Sequence, residues 1–385
     1  MKIKGKYLKN ILFAIFVLAL FFPIIAKSFN LFNEMPLGGV SIPTEKPILT
    51  DSTWFNGSFQ TQKEIYLNEN IGLHNTFIRL NNQISFTLYN KTESDKIIIG
   101  KDNFLFENNY IDATTGKDYI GEENIIKFET KTQQVKQILA DMSIDFLIVF
   151  TPGKATYFKE KIPDKYFTKG NNPKTNYSEL IKVCEAQNIN YIDFNSWFLE
   201  MKDTVSYPLF PKAGIHWTYY GMYLCTDSLI NKIEKDINKD LPKLILDGVE
   251  VSPEQRGSEY DLGNLMNLLY PINTYELAYP NFSYQQENKY RPKVLVIGDS
   301  FYWNIYYSGI PANVFYSLDF LYYNSQYYND GSNIVKCDIN TIDYIEFISE
   351  FEYIIVMQTD GGLNNFGLGF FEKLINTVEH ETISD

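Results

Sequence analysis

The chain has 385 residues, of which 45% are hydrophobic and 16% aromatic, enough for one large core or two modest ones. Its formal net charge of -13 leaves no basic footprint, which excludes nucleic acid as a partner class and disfavours acidic polymers on average. Cys184, Cys225 and Cys337 show no CxxC or Cys/His spacing, so no metal site is expected, and outside the cytoplasm at most one disulfide can form within the chain.

The N-terminus sets the compartment. Lys2, Lys4, Lys6 and Lys9 precede the apolar, uncharged stretch Ile11 to Ala26. Basic residues ahead of a span hold the N-terminus in the cytoplasm and send the rest across. Ile24 sits where a signal-peptide cleavage site after Ala26 needs a small residue, so an uncleaved single-pass anchor in the inner (cytoplasmic) membrane is favoured over a cleaved leader. Residues 1–30 are therefore read as anchor or signal segment. Residues 31–53, with Pro36, Pro43 and Pro47, are read as linker, and 54–385 as one exported domain.

Along that domain, Trp54 to Tyr89 is helical in pattern with a break at Gly72. Ile97–Gly100 and Asn103–Phe106 read as a hairpin turning at Lys101-Asp102. Glu122 to Met142 is a helix, and Asp145 to Phe150 a buried strand of the parallel kind. Tyr177 to Gln187 is helical, Ile189 to Phe194 a strand, and Trp217 to Ile237 a helix. Leu241 to Pro292 lacks a clear period and is too long for a passive loop, so it is expected to be a lid or substrate wall. Strands follow at Val294–Ile297, near Asn313–Ser317, and at Tyr353–Met357. Alternating helices and apolar strands predict an α/β fold with a doubly wound parallel sheet and helices on both faces.

Two segments carry the chemistry. Val294-Leu295-Val296-Ile297-Gly298-Asp299-Ser300-Phe301 has the form of a strand ending in a nucleophile turn, with Ser300 exposed at the turn. Gly214-Ile215-His216-Trp217-Thr218 offers a general base, and only His74 and His380 compete with His216 for that role. A bland reading remains for each: Ser300 as a helix cap, and His216 as a histidine satisfied near a helix start. Lys154 in Thr-Pro-Gly-Lys, Trp217, Asn304, and Gly361 after the last strand are candidate substrate or oxyanion contacts; a solvated loop, packing or a simple turn is the plain alternative.

These motifs together resemble the SGNH-hydrolase-like proteins of polysaccharide O-acetylation, the alginate O-acetyltransferase type. The resemblance runs through Trp54/Gln60, Gly100-Lys101-Asp102-Asn103-Phe104-Leu105-Phe106, Pro152-Gly153-Lys154-Ala155, His216-Trp217-Thr218 with Gly221, and Gly298-Asp299-Ser300-Phe301. It implies a three-layer, flavodoxin-like SGNH fold behind the membrane anchor. It also implies an acetyl-serine on Ser300 with His216 as base, no cofactor, an exported polysaccharide as acceptor, and a membrane-bound acyltransferase as acyl donor. The family's usual acid, two residues before the histidine, is Gly214 here. Losing an orienting acid costs on the order of 10⁴ in rate. Asp360 or Asp299 is the expected substitute; a backbone carbonyl completing a dyad, a carbohydrate acetylesterase, or a non-catalytic glycan-binding or assembly subunit are the alternatives.

Overall fold

The computed structural model describes residues 2–39, 43–167, 173–329, 331–332 and 335–384. The chain forms two compact units: residues 1–95 with 262–272, and residues 96–261 with 273–385. The boundary expected at residue 54 thus falls inside the first unit.

The first unit is helical. Its helix Lys2–Ser28 contains a 22-residue stretch, Tyr7–Ser28, of mean hydropathy 2.4, long and apolar enough to cross a membrane. Helices Asp51–Phe55, Ser58–Glu69 and His74–Tyr89 follow, the first closed by a reciprocal Thr50/Thr53 cap.

The second unit is built on strands. A short hairpin pairs β1 (Ile97–Ile99) with β2 (Leu105–Glu107). Further on come β3 (Asp145–Thr151), β4 (Tyr191–Asp193), β5 (Lys243–Ser252), β6 (Leu277–Gln285), β7 (Val294–Gly298), β8 (Asp319–Tyr322), β9 (Gln326–Tyr328), β10 (Cys337–Asp338) and β11 (Tyr353–Thr359). Seven of them form one sheet in the order β10-β9-β8-β7-β11-β3-β4. β8, β7, β11, β3 and β4 run parallel, and β9 and β10 are added antiparallel at the edge. β7 and β11 are buried at every residue, as a central parallel strand covered on both faces must be.

Alternation along the strands separates two layers. Ile148, Phe150, Leu295, Ile297, Ile354 and Val356 join one core with Phe128, Val135 and Leu139 of helix Glu122–Asp141, Leu180 of helix Asn176–Ala186, and Phe370 and Leu374 of helix Phe370–Ser384. On the other face, Phe320 packs 4.8 Å from the rings of Tyr302 and Trp303, and the Tyr353 hydroxyl donates to Asp236 in helix Tyr219–Ile237. Cys184 and Cys225 are buried free thiols.

Three local expectations are corrected. The strand expected at Asn313–Ser317 is displaced to Asp319–Tyr322, because Gly309 (φ 79°) and Pro311 start a helix over Ile310–Val314. The helix expected from Trp217 starts at Tyr219, because Thr218 is its cap, with Oγ1 accepting from Gly221 N at 3.1 Å. Leu241–Pro292 is not devoid of regular structure: β5 and β6 form an antiparallel ribbon with a register shift between Leu246 and Gly248.

Candidate active site

Ser300 lies just past β7, and a buried aspartate braces the turn. Asp299 Oδ1 accepts from Phe301 N (3.0 Å), and Oδ2 accepts from Thr359 N (2.7 Å) and Thr359 Oγ1 (2.8 Å) at the end of β11. Burial pushes the Asp299 carboxyl up from its ordinary range, against these hydrogen bonds. Gly298 allows a close approach: a Cβ there would lie 3.2 Å from Met357 O, tighter than an ordinary contact. Phe301, fully buried, pins the turn from below, with its ring 4.9 Å from that of His216 and 5.4 Å from that of Trp217.

His216 Nε2 lies 3.0 Å from Ser300 Oγ. On the other side of the ring, His216 Nδ1 lies 2.9 Å from Asp261 Oδ2, and Asp261 Oδ1 accepts from Ile215 N at 3.0 Å. A carboxylate only accepts, so Nδ1 carries the proton and Nε2 is left as the acceptor for the serine hydroxyl. Three residues from three separate segments thus make a Ser-His-Asp relay.

The carboxylate against His216 Nδ1 is that of Asp261, where Asp299 or Asp360 was expected. Asp299 is spent on the turn. Asp360 is buried at the far side of β11, where its Oδ2 accepts from Thr156 Oγ1, and it lines a separate cavity of about 370 Å³. Burial raises its pKa to about 6. Gly214 explains the exchange. A Cβ at 214 would lie 2.5 Å from Ser258 O and 2.6 Å from the carbonyl of Glu259. The backbone crossing that position belongs to the segment that delivers Asp261.

Glu259 holds that segment in place. It is fully buried; Oε1 accepts from Tyr219 N (3.1 Å), and Oε2 from Arg256 N (3.0 Å) and the Tyr279 hydroxyl (2.7 Å). The segment 256–261 is thereby tied both to the helix that follows His216 and to β6. Lys154 holds the His216 loop from the opposite side. It is fully buried, and its Nζ donates to Lys212 O (2.9 Å) and Gly214 O (2.6 Å). Burial pulls its pKa down to about 7, partly offset by the charge of Asp261.

Lys154 is thus held on backbone carbonyls, Trp217 is fully buried against Phe301, and Gly361 is covered by the Tyr110 ring, 2.9 Å from where a Cβ would stand. Asn304 does face the site. With Tyr219, Gly257, Ser258, Trp303 and Tyr307 it lines a cavity of about 280 Å³ that opens onto His216 and Ser300. Glu107, at the end of β2, adds a second carboxyl nearby: burial raises its pKa, and Asp261 raises it further while His216 lowers it.

The family of the SGNH hydrolase-like domain of acetyltransferase AlgX matches residues 97–307, a span that includes Ser300, His216 and Asp261. The chain belongs to this family. Solved structures similar to this SGNH hydrolase-like protein include the O-acetyltransferase domain of Pseudomonas putida AlgJ, at 12% identity over 73% of this chain and 99% of that one, with a TM-score of 0.45. Bacillus cereus PatB1 matches at 14% identity over 70% and 97%, TM-score 0.40, and Pseudomonas aeruginosa AlgX at 13% over 70% and 66%, TM-score 0.42. No curated protein matches the sequence.

Proposed function

We propose that this SGNH hydrolase-like protein is an O-acetyltransferase that acts on an exported polysaccharide through an acetyl-serine on Ser300. The observation that carries this reading is the unbroken Asp261–His216–Ser300 relay, with contacts of 2.9 and 3.0 Å, beside an open cavity. In the first half-reaction Ser300 Oγ attacks the acetyl carbonyl while His216 Nε2 takes its proton. The carbonyl re-forms, the bond to the donor's leaving group breaks, and His216 returns the proton to that group. In the second half-reaction His216 takes a proton from a sugar hydroxyl as that oxygen attacks the acetyl-serine. Ser300 leaves and is reprotonated, and the acetyl ester now sits on the sugar.

Asp261 holds the imidazole in the productive tautomer throughout and stabilises the imidazolium. The donor is expected to be a membrane-bound acyltransferase, and the helix Lys2–Ser28 the anchor that keeps the domain beside it, outside the cytoplasm. The non-catalytic reading draws its force from Gly214, and Asp261 supplies the acid which that position lacks.

Intact-mass spectrometry of the full chain in neutral detergent, after incubation with 4-nitrophenyl acetate, tests this. An adduct of one acetyl group on Ser300, absent from Ser300→Ala and His216→Ala, is expected. No adduct and no ester turnover by the wild-type chain would sink the proposal.

A further inference from the structure

The cavity beside Ser300 has a shape and a charge that select among sugars. Trp303 and Tyr307 stand one turn apart on helix Tyr302–Tyr307 with their rings stacked, centroids 5.2 Å apart and planes 14° from parallel. Trp303 is wedged edge-on against Tyr306, Phe320 and Tyr328, with centroids at 5.4, 4.8 and 4.8 Å, so the platform is fixed before any ligand arrives. Tyr307 is 53% exposed. A flat, rigid aromatic surface of this kind suits the C–H face of a sugar ring. Beside it the Asn304 amide donates to Ser258 Oγ at 3.2 Å, a neutral pair able to hydrogen-bond hydroxyl groups.

Among the described residues, no lysine or arginine lines the cavity. Asp261, Glu107 and Asp299 are carboxyls that interact with His216. The cations nearby are engaged elsewhere. Arg256 lies 3.8 Å over the Tyr279 ring and is paired with Glu250, and Lys154 is fully buried on two backbone carbonyls. Lys96 acts on Glu107, which lies outside the cavity wall. A uronate placed here would bring a like charge toward Asp261 and Glu107 with no lysine or arginine on the cavity wall to meet it, and the net charge of -13 opposes a polyanion at longer range.

We infer that the acceptor seated in this cavity is an uncharged sugar ring stacked on Tyr307, with Trp303 behind it, and that the site discriminates against uronic-acid polymers. The inference rests on the acetyl-transfer reading for its catalytic meaning, but its binding content stands apart from catalysis. The test uses the full-length Ser300→Ala chain in neutral detergent, titrated by calorimetry with hexamers of β-1,4-linked glucose, β-1,4-linked N-acetylglucosamine and α-1,4-linked galacturonate. At least one neutral hexamer should bind about tenfold or more tighter than the uronate at low salt, and Tyr307→Ala should weaken it by about tenfold, a typical worth for one stacked ring. Equal or tighter uronate binding, an unchanged affinity in Tyr307→Ala, or no binding of any hexamer at millimolar concentration would overturn it. Running the acetyl-adduct assay on the wild-type chain in parallel separates the two readings. An adduct on Ser300 that the uronate discharges fastest refutes the selectivity and leaves acetyl transfer standing. Tyr307-dependent binding of a neutral hexamer without any adduct does the reverse.

Discussion

Replacing Asp261 with asparagine isolates the step that this geometry assigns to the acid. In the wild type, Asp261 Oδ2 faces His216 Nδ1 at 2.9 Å and Oδ1 takes the Ile215 N–H at 3.0 Å. An asparagine that keeps its carbonyl on the Ile215 N–H must turn its NH₂ toward the ring. Two donors cannot face each other, so the ring proton moves to Nε2 and the acceptor for Ser300 is lost. The wrong tautomer in a triad of this kind lowers the rate about 10⁴-fold, equivalent to about 5 kcal/mol of transition-state stabilisation. Rapid-quench intact-mass measurement of acetyl-Ser300 formation should show that loss in Asp261→Asn with little change in stability. Acylation within tenfold of wild type would refute the assignment of Asp261. The double variant Gly214→Asp/Asp261→Asn sharpens the test. Restoring an acid two residues before His216 should not rescue activity, since the Cβ alone would stand 2.5 Å from Ser258 O, and the variant should be less stable than Asp261→Asn.

Three further outcomes follow from buried polar groups. Lys154→Met fills the space but leaves the carbonyls of Lys212 and Gly214 without their donor, so the His216 loop should loosen and acylation slow by about tenfold or more; wild-type kinetics would dismiss Lys154 as a positioning residue. Glu259→Gln replaces a carboxylate that accepts three hydrogen bonds with a group that has only one acceptor oxygen, so a loss of about 1–3 kcal/mol in urea unfolding and slower acylation are expected together; loss of stability alone would separate Glu259 from the placement of Asp261. Asp360 titrates at about 6 in the folded protein against an ordinary value of 3.8. With a raised carboxyl pKa, the folded state holds its proton longer than the unfolded one, so stability falls as pH rises from about 4 through 6. Asp360→Asn should therefore match the wild type near pH 3.5 and exceed it by about 3 kcal/mol at pH 8, measured by denaturant unfolding at each pH; an equal or lower stability at pH 8 would contradict the burial argument.

What could be read in the sequence was what local pattern determines. The continuous apolar runs of β3, β7 and β11 are buried on both faces. Ser300 and His216 were legible because each sits at the boundary of a strongly patterned element, one ending a strand and the other preceding a capped helix. β5 and β6 were not: β5 shows no period-2 alternation in its burial, and Pro280 interrupts the run of β6. The helix at Ile310–Val314 had a usable signal in Gly309 and Pro311 that the β-favouring residues around Phe315 outweighed. Lys154 in Thr-Pro-Gly-Lys looks like any solvated loop lysine, and only the tertiary fold buries it.

The acid was hidden for a deeper reason. A triad constrains where a carboxylate stands relative to Nδ1, not which segment supplies it. The backbone of Ser258 and Glu259 occupies the volume that a side chain at 214 would need. Once that segment crosses there, glycine at 214 becomes a steric requirement, and the same crossing brings Asp261 within 2.9 Å of the ring. Gly214 in isolation reads as the loss of a catalytic group; beside the 256–261 segment its missing side chain leaves room for the backbone that leads to Asp261. The contact spans 45 positions, and no periodicity or spacing distinguishes Asp261 from the chain's other acidic residues.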